Sequence, residues 1–231
     1  RTYKWHIRRY RMQTKVVLVT TAVLIVLPAL YYYFIEFGYP QWAGLSGAER
    51  FWGALFQAVT PRTAGFNTLD LTCMSESGQS IMTILMLIGG SPGSTAGGMK
   101  TTTVVVLVMS MISVFRRREH VEVFDRRIAA ETVKYAAAVL VMYLIFCFGG
   151  GILISSIEGL PMLLCIFEAG SAIGTVGLTL GLTPQLSLAS HIILTVLMYF
   201  GRVGGLTVVF AAISGTRPHV SKAPREKITV G

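Results

Sequence analysis

The chain consists of long apolar runs separated by short clusters of charged residues. The runs Val16 to Ile35 and Tyr135 to Ile157 contain no charged residue. A helix needs about 20 apolar residues to cross the hydrocarbon core of a bilayer, where lipid offers no partner to a free backbone N–H or C=O. Each of these runs therefore predicts one simple membrane-spanning helix.

Two further apolar runs are incompatible with single straight spans. Ser80 to Phe115 carries one charge, Lys100, but between Gly89 and Gly98 it is rich in glycine and contains a proline. Glycine and proline weaken or break helices, so this span is predicted to be broken within the membrane. Ala169 to Gly201 runs for 33 residues without a charge, which is too long for one crossing. Part of it is predicted to enter the membrane and turn back.

The two halves of the chain repeat one pattern at an offset of 112 residues, which relates Gly89 to Gly201 and Tyr31 to Tyr143. The aligned segments are Thr63-Ala64-Gly65-Phe66-Asn67 with Thr175-Val176-Gly177-Leu178-Thr179 and, displaced by one residue, Phe56-Gln57-Ala58 with Phe167-Glu168-Ala169. We infer two copies of one unit, which comprises a span, a short re-entrant element and a second span.

Each re-entrant element begins like a short helix. Ser46 and Glu49 have the spacing of a capping box before a helix predicted for Arg50 to Thr60, and Pro161 precedes a helix predicted for Met162 to Ile173. At about 1.5 Å per residue, these helices are about 18 Å long and end near the middle of a bilayer. Their inward C-terminal ends carry partial negative charge, which favours a cation.

An extended segment follows each short helix, and its backbone carbonyls need a partner at this depth. Rings of carbonyls can replace the hydration shell of an ion, and glycine adopts the dihedral angles that aim successive carbonyls in one direction. A single T-x-G segment is more typical of an ordinary turn, but its repetition within matched hairpins favours a selectivity filter. The predicted ion contacts are the backbone carbonyls of Thr63, Ala64, Gly65, Thr175, Val176 and Gly177.

The composition excludes a water-soluble globule, since 53% of the residues are hydrophobic and 13% are charged, against about 25% charged residues in soluble domains. The net charge is +9, and fifteen of the 20 Lys and Arg residues lie in three clusters within residues 1–15, 116–127 and 217–227. By the positive-inside rule, both termini and the central loop are expected to be cytoplasmic. This accounts for the basic excess, so nucleic acid is not an expected partner.

The segments Gln57 to Asn67 and Ser171 to Thr179 resemble the third and fourth filters of the Trk/Ktr/HKT superfamily of potassium transporters. The break from Gly89 to Gly98 is similar to that family's intramembrane gating loop, and Gly201 to Thr207 resembles its arginine-bearing last span. The final residues, Pro224 to Gly231, resemble a Ktr-type C-terminus.

The resemblance implies four repeats around one pore in a single polypeptide, of which this chain is the C-terminal half. The implied partners are the N-terminal half with two further repeats, a second copy in a homodimer, membrane lipid, and a cytosolic nucleotide-binding regulatory ring of the KtrA or TrkA type. The implied transported ion is K⁺, with Na⁺ as a second candidate and no organic cofactor, in a bacterial plasma membrane. One glycine per repeat, unlike the T-V-G-Y-G of tetrameric potassium channels, implies weaker discrimination against Na⁺.

Lys100 and Arg202 are costly, since a cation at bilayer depth costs about 2.5 to 3.5 kcal/mol. We hypothesise that Arg202 lies on the pore wall below the filter and that the glycine-rich loop obstructs the path until the regulatory partner moves it. The alternative is that Arg202 caps loop carbonyls as a structural residue. The predicted gate comprises Gly89, Gly90, Ser91, Pro92, Gly93, Ser94, Thr95, Ala96, Gly97, Gly98, Lys100 and Arg202.

Other functions are less well supported by the residues. Ser171 with His191 lacks the third group that a hydrolase would need, so an enzyme is not expected. Glu168 is expected to form a buried hydrogen bond or to line an outer vestibule, in preference to binding the ion. A sodium-coupled secondary carrier with broken helices remains the alternative, because carriers also contain repeats and discontinuous spans.

The sequence thus predicts an all-α, channel-like membrane protein with two repeats. The predicted divisions are a cytoplasmic basic segment at 1–15, the first repeat at 16–115, a cytoplasmic basic loop at 116–128, the second repeat at 129–213 and a cytoplasmic tail at 214–231.

Overall fold

A computed structural model describes residues 10–118, 120–124 and 126–204. The end of the predicted second repeat, the predicted tail and the Ktr-like C-terminal motif lie outside these residues. Most of the basic N-terminal segment also lies outside them.

The described residues form seven α-helices and one two-stranded hairpin. In chain order these are α1 Met12–Phe34, α2 Gly47–Val59, α3 Glu76–Leu87, α4 Thr101–Phe115, β1 Glu122–Val123, β2 Arg126–Arg127, α5 Ala130–Glu158, α6 Met162–Ile173 and α7 Leu188–Val203. Single 3-10 turns occupy Glu36–Gly38, Pro40–Trp42, Leu71–Cys73 and Thr183–Gln185. The antiparallel hairpin lies within the predicted cytoplasmic loop.

Within the described part of the chain, two helical stretches are long and apolar enough to span a membrane, namely Met12–Gly38 and Ala130–Glu158. They contain the two predicted simple spans. Helix α5 has 29 residues and ends at Gly159, so at about 1.5 Å per residue it is ~44 Å long and extends beyond a hydrocarbon core of about 30 Å. Gly159 takes the left-handed conformation that commonly ends a helix.

The two predicted short helices are present. Helix α2 begins three residues before the predicted start, because Ser46 is its N-cap: the Ser46 hydroxyl accepts from the Glu49 N–H, and the Glu49 carboxylate accepts from the Ser46 N–H at 2.8 Å. Helix α6 has the predicted bounds. It packs against α5, α7 and α3, and it approaches α5 closely because a side chain at Gly151 would collide with Ile166.

The predicted break in the second span is also present, between α3 and α4. The two ends of the break are bonded to each other: the Gly89 N–H donates to the Met99 carbonyl at 2.8 Å, and the Met99 N–H donates to the Leu87 carbonyl at 2.9 Å. The Thr101 N–H donates to the Gly90 carbonyl at 3.2 Å. The break is therefore a loop whose two ends are hydrogen-bonded to each other. These bonds give partners to backbone groups that lie outside the helices.

The two hydrophobic clusters of the described residues each contain side chains of both repeats. Side chains of the second repeat, from Phe167 and from Val176, Leu178 and Leu180, are buried in the hydrophobic cluster of the first repeat. Side chains of the extended segment that follows α6 are thus packed against the first repeat.

A carboxylate caps the second span of each repeat, and it is buried in the first repeat and partly exposed in the second. Ser75 and Ser187, which are 112 residues apart, are the N-caps of α3 and α7. Glu36 accepts from the Ser75 N–H at 2.8 Å and from its hydroxyl at 2.6 Å, whereas Glu158 accepts from the Ser187 N–H at 2.9 Å and from its hydroxyl at 2.5 Å. A carboxylate at a helix N-terminus is favoured by the helix dipole and by charge-assisted hydrogen bonds. The carboxylate therefore joins the two spans of each unit at the same point.

Replacing Glu36 by alanine is expected to destabilise the protein more than replacing Glu158. Glu36 is fully buried and also accepts from the Trp42 indole at 3.4 Å, so its removal leaves buried donors without an acceptor. The expected loss is at least about 2 kcal/mol for Glu36→Ala and smaller for Glu158→Ala, where water reaches the site. Thermal unfolding in detergent, followed by tryptophan fluorescence, measures both, and equal losses would contradict the assignment.

Candidate ion-conduction site

The two predicted filter segments have the same backbone conformation. Thr63 and Gly65 have φ of 68° and 73°, and Thr175 and Gly177 have φ of 53° and 92°. Threonine is β-branched, and the left-handed conformation costs an L-residue roughly 1–2 kcal/mol. Such strain persists only where the surrounding structure imposes it, and it is concentrated at functional sites. Two strained threonines at equivalent positions therefore indicate that the surrounding structure imposes the conformation of both segments.

A hydroxyl residue at the end of each short helix holds the filter backbone. The Thr60 hydroxyl donates to the Phe66 carbonyl at 2.6 Å, and the Ser171 hydroxyl accepts from the Gly177 N–H at 3.2 Å. Both residues are buried, and they are related by the one-residue displacement seen in the sequence. The hydroxyls of Thr60 and Ser171, near the C-terminal ends of α2 and α6, thus position the extended segments.

The two filter segments lie directly against each other. A side chain at position 65 would collide with the carbonyl oxygen of Val176, which lies nearer to that position than its own carbonyl carbon does. The Val176 carbonyl is therefore directed toward the first filter. At Gly177, by contrast, an added Cβ would meet no atom of the described residues within 4 Å.

Glu168 lies on α6 behind the second filter, and its side chain is 3% exposed. Its carboxylate accepts hydrogen bonds from the Thr179 and Thr183 hydroxyls at 2.6 and 2.7 Å. The expectation of a buried hydrogen bond is confirmed. Glu168 also lines a cavity of about 540 Å³ beside the filter, together with Thr175 and Arg202.

The glycine-rich loop lies against the first residue of the second filter. A side chain at Gly97 would collide with the side chain of Thr175. Gly201 on α7 is close to the same threonine, because a Cβ there would meet its Cγ2 at 3.1 Å and the Ile173 carbonyl more closely still. Loop, filter and last helix therefore meet around Thr175.

Two cationic side chains bind carbonyls of this loop. Arg202 Nη1 donates to the Thr95 carbonyl at 2.6 Å, and Lys100 Nζ donates to the Ala96 carbonyl at 2.6 Å. The contact of Arg202 is the one expected if it caps loop carbonyls. Both cations also line a cavity of about 450 Å³ that Tyr143 borders. The loop is thus fastened to α7 by one cation and to the start of α4 by the other.

The remaining predicted residues are placed as follows. Phe66 and Asn67 are exposed at the outer end of the first filter, and Leu178 is buried at the corresponding point of the second. Sequence reasoning missed the roles of Glu36 and Glu158. Their serine partners keep the 112-residue offset, but the glutamates themselves are 122 residues apart.

Comparison with known proteins identifies relatives of this chain. The family model for TrkH, described as a cation transport protein, matches residues 6–218. The chain is 40% identical over 205 residues to the Ktr system potassium uptake protein B of Bacillus subtilis, covering 88% of this chain and 46% of that protein. It is 36% identical over 231 residues to the potassium/sodium uptake protein NtpJ of Enterococcus hirae, covering 97% of this chain and 51% of that protein.

A solved structure shows the same fold. The crystal structure of the potassium transporter TrkH from Vibrio parahaemolyticus superposes with a TM-score of 0.66 at 19% sequence identity, covering 89% of this chain and 44% of that one. The chain spans about half the length of the curated relatives it matches. The all-α membrane fold is thereby confirmed, and the chain belongs to the TrkH family of cation transport proteins.

Proposed function

We propose that this protein takes part in K⁺ uptake across a cell membrane through a channel-like pore, in which backbone carbonyls of the filter segments replace the hydration shell of the ion. The observation that carries the proposal is the pair of matched left-handed residues in each segment, with the Val176 carbonyl against Gly65. Carbonyl oxygens of this kind are the ligands that potassium filters use. The names of the relatives, which are potassium or potassium/sodium uptake proteins, support K⁺ as the cargo.

The short helices α2 and α6 also stabilise a cation in this proposal. Helices α2 and α6 both end where a filter segment begins, and the C-terminal end of a helix carries roughly half a negative charge. A cation that has lost part of its water gains from this charge. The predicted ligands, the carbonyls of Thr63 to Gly65 and of Thr175 to Gly177, follow these helix ends in the chain.

The loop from Gly89 to Gly98, with Lys100 and Arg202, is the gate in this proposal. The contacts of Arg202 with Thr95 and of Gly97 with Thr175 support a position just inside the filter. In this state the loop obstructs the path, and its displacement opens it. The capping role of Arg202 is compatible with this function, because the bond to Thr95 holds the loop closed.

The complete pore needs more chain than these two repeats supply. We propose that an N-terminal half with two further repeats closes it, that the protein works as a homodimer on a cytosolic nucleotide-binding ring, and that both termini are cytoplasmic in a bacterial plasma membrane. The coverage of about half of each relative and the basic loop between the repeats support this arrangement.

A sodium-coupled carrier is the second candidate. The break between α3 and α4 is a discontinuous span of the kind found in carriers, and one relative is named a potassium/sodium uptake protein. Rb⁺ uptake measured with and without external Na⁺ separates the two, since coupled transport requires Na⁺ and a channel-like pore does not.

Alanine at Gly65 is expected to impair uptake more than alanine at Gly177. Both positions have positive φ, but a Cβ at Gly65 also collides with the Val176 carbonyl, whereas one at Gly177 does not meet any described atom within 4 Å. We expect a loss of more than about tenfold in Rb⁺ uptake for Gly65→Ala and about three- to tenfold for Gly177→Ala, from backbone strain alone. Uptake is measured with the assembled transporter in cells that lack other K⁺ uptake.

The control for both variants is Gly149→Ala in α5, where a Cβ has open space and φ is ordinary. Its uptake is expected to stay at the wild-type level. Wild-type uptake and K⁺ selectivity in both filter variants would refute the proposed filter.

Deleting residues 90–98 is expected to raise K⁺ flux. Gly89 and Met99, the residues that flank the deletion, are already joined by a 2.8 Å hydrogen bond, so the two ends of the shortened span lie close together. Arg202→Gln, which releases the Thr95 carbonyl, is expected to give a smaller rise. Flux per transporter at the cell surface is the measurement, and a flux no higher than in the intact transporter would defeat the gate.

A further inference from the structure

The two filters differ in what lies behind them. On the second repeat, one oxygen of the Glu168 carboxylate accepts from the Thr179 hydroxyl at 2.6 Å and from the Leu180 N–H at 3.1 Å, and the other accepts from the Thr183 hydroxyl at 2.7 Å. Burying a carboxylate is costly unless its oxygens are bonded, and three charge-assisted bonds compensate for that cost here. Thr179 is the last residue of the predicted filter, so the carboxylate holds the outer end of that segment.

The first repeat has no equivalent of this attachment. Gln57, which aligns with Glu168, is fully buried, and neither atom of its amide has a hydrogen-bond partner within the described residues. The positions that align with Thr179 and Thr183 are Asn67 and Leu71. Asn67 is exposed and Leu71 is an apolar core residue. The two hydroxyl donors are therefore absent from the first repeat.

The support behind the second filter is rigid. The last seven of the twelve residues of α6, from Phe167 to Ile173, are buried without interruption. Beyond the filter, Leu180 is buried in the core of the first repeat. The carboxylate thus ties the outer end of the filter to a helix that is itself fixed, and the segment cannot move inward or outward without breaking its three hydrogen bonds.

We propose that Glu168 is a positioning residue that determines how well the pore discriminates K⁺ from Na⁺. The inference rests on the proposed function, since it requires that the second filter contacts the ion. A filter that holds its carbonyls apart suits the larger K⁺, and one that is free to contract also coordinates the smaller Na⁺. Of the two filters described, only the second is held in this way, so selectivity depends on Glu168 and does not depend on Gln57.

Two substitutions at Glu168 separate positioning from simple core packing. Leucine removes all three hydrogen bonds, and we expect the K⁺/Na⁺ selectivity of uptake to fall by about tenfold, which corresponds to about 1.4 kcal/mol over the three bonds together. Glutamine keeps an oxygen for Thr179 and Leu180 and presents an N–H to the Thr183 hydroxyl, which can also accept. Glu168→Gln is therefore expected to keep selectivity within about twofold of the wild type.

Matched variants provide the controls. Gln57→Leu changes the equivalent position of the first repeat and is expected to leave selectivity unchanged; a shift as large as that of Glu168→Leu would overturn the assignment. Thr183→Val removes one of the three bonds and is expected to lower selectivity two- to threefold, an order-of-magnitude estimate from about 0.5 kcal/mol. If Glu168→Leu does not assemble, Thr183→Val decides, and unchanged selectivity in that variant would overturn the proposal.

A measurement without transport distinguishes failure of this proposal from failure of the proposed function. The Leu180 N–H is bonded to Glu168 in a buried site, so its hydrogen exchange is expected to be slow in the wild type and in Glu168→Gln, and fast in Glu168→Leu. Equal exchange in all three proteins would refute the attachment even where uptake is normal. Slow exchange in a wild-type protein that does not take up Rb⁺ would refute the proposed function and, with it, the role in selectivity.

Discussion

Peptide groups that leave a helix at membrane depth must find partners in the protein, because lipid offers none. The described polar side chains around the pore meet this requirement one by one. Thr60 and Ser171 bind the filter backbone, and Lys100 and Arg202 bind the carbonyls of the broken span. These four polar side chains therefore serve irregular backbone. In the proposed function, the remaining filter carbonyls are the ligands of the cation.

The two repeats have the same backbone conformation at the filter threonines, but different residues hold that backbone in place. Thr63 and Thr175 hold the same strained conformation, and that strain has to be offset by bonds and packing nearby. In the second repeat, Glu168 and the core residues of the first repeat supply the support. The two repeats thus share the φ angles of these segments, while the residues behind the segments differ.

Much of this architecture follows from the sequence. Runs of apolar residues predicted the two simple spans, and glycine and proline predicted the break between α3 and α4. A capping pair predicted the start of α2 to within three residues. These features depend on local chemistry, such as helix capping and helix breaking, which a single sequence displays. The repeat offset then placed the filter threonines and glycines at equivalent positions, where the structure shows equivalent φ angles.

The contacts that hold these elements together could not be predicted in the same way. Glu36 reaches Ser75 from the first residue of the 3-10 turn that follows α1, whereas Glu158 reaches Ser187 from the last residue of the longer α5. The chain takes different routes to one interaction, so the offset fails for the glutamates. For Arg202, the sequence offered the loop carbonyls as one of two alternatives but did not single out Thr95, which is 107 residues away.

The closed loop between α3 and α4 has a fixed base and a free tip. Near its base, Gly89 and Gly97 are each so close to other backbone or side-chain atoms that no Cβ fits, whereas a Cβ at Gly93 would meet nothing within 4 Å. An attached label therefore finds space at the tip and not at the base, and a residue beside Gly93 is the better position for it, because Gly93 itself has a φ of 89°. A spectroscopic reporter near position 93 would follow the movement of the loop without disturbing the contact on which the second filter rests.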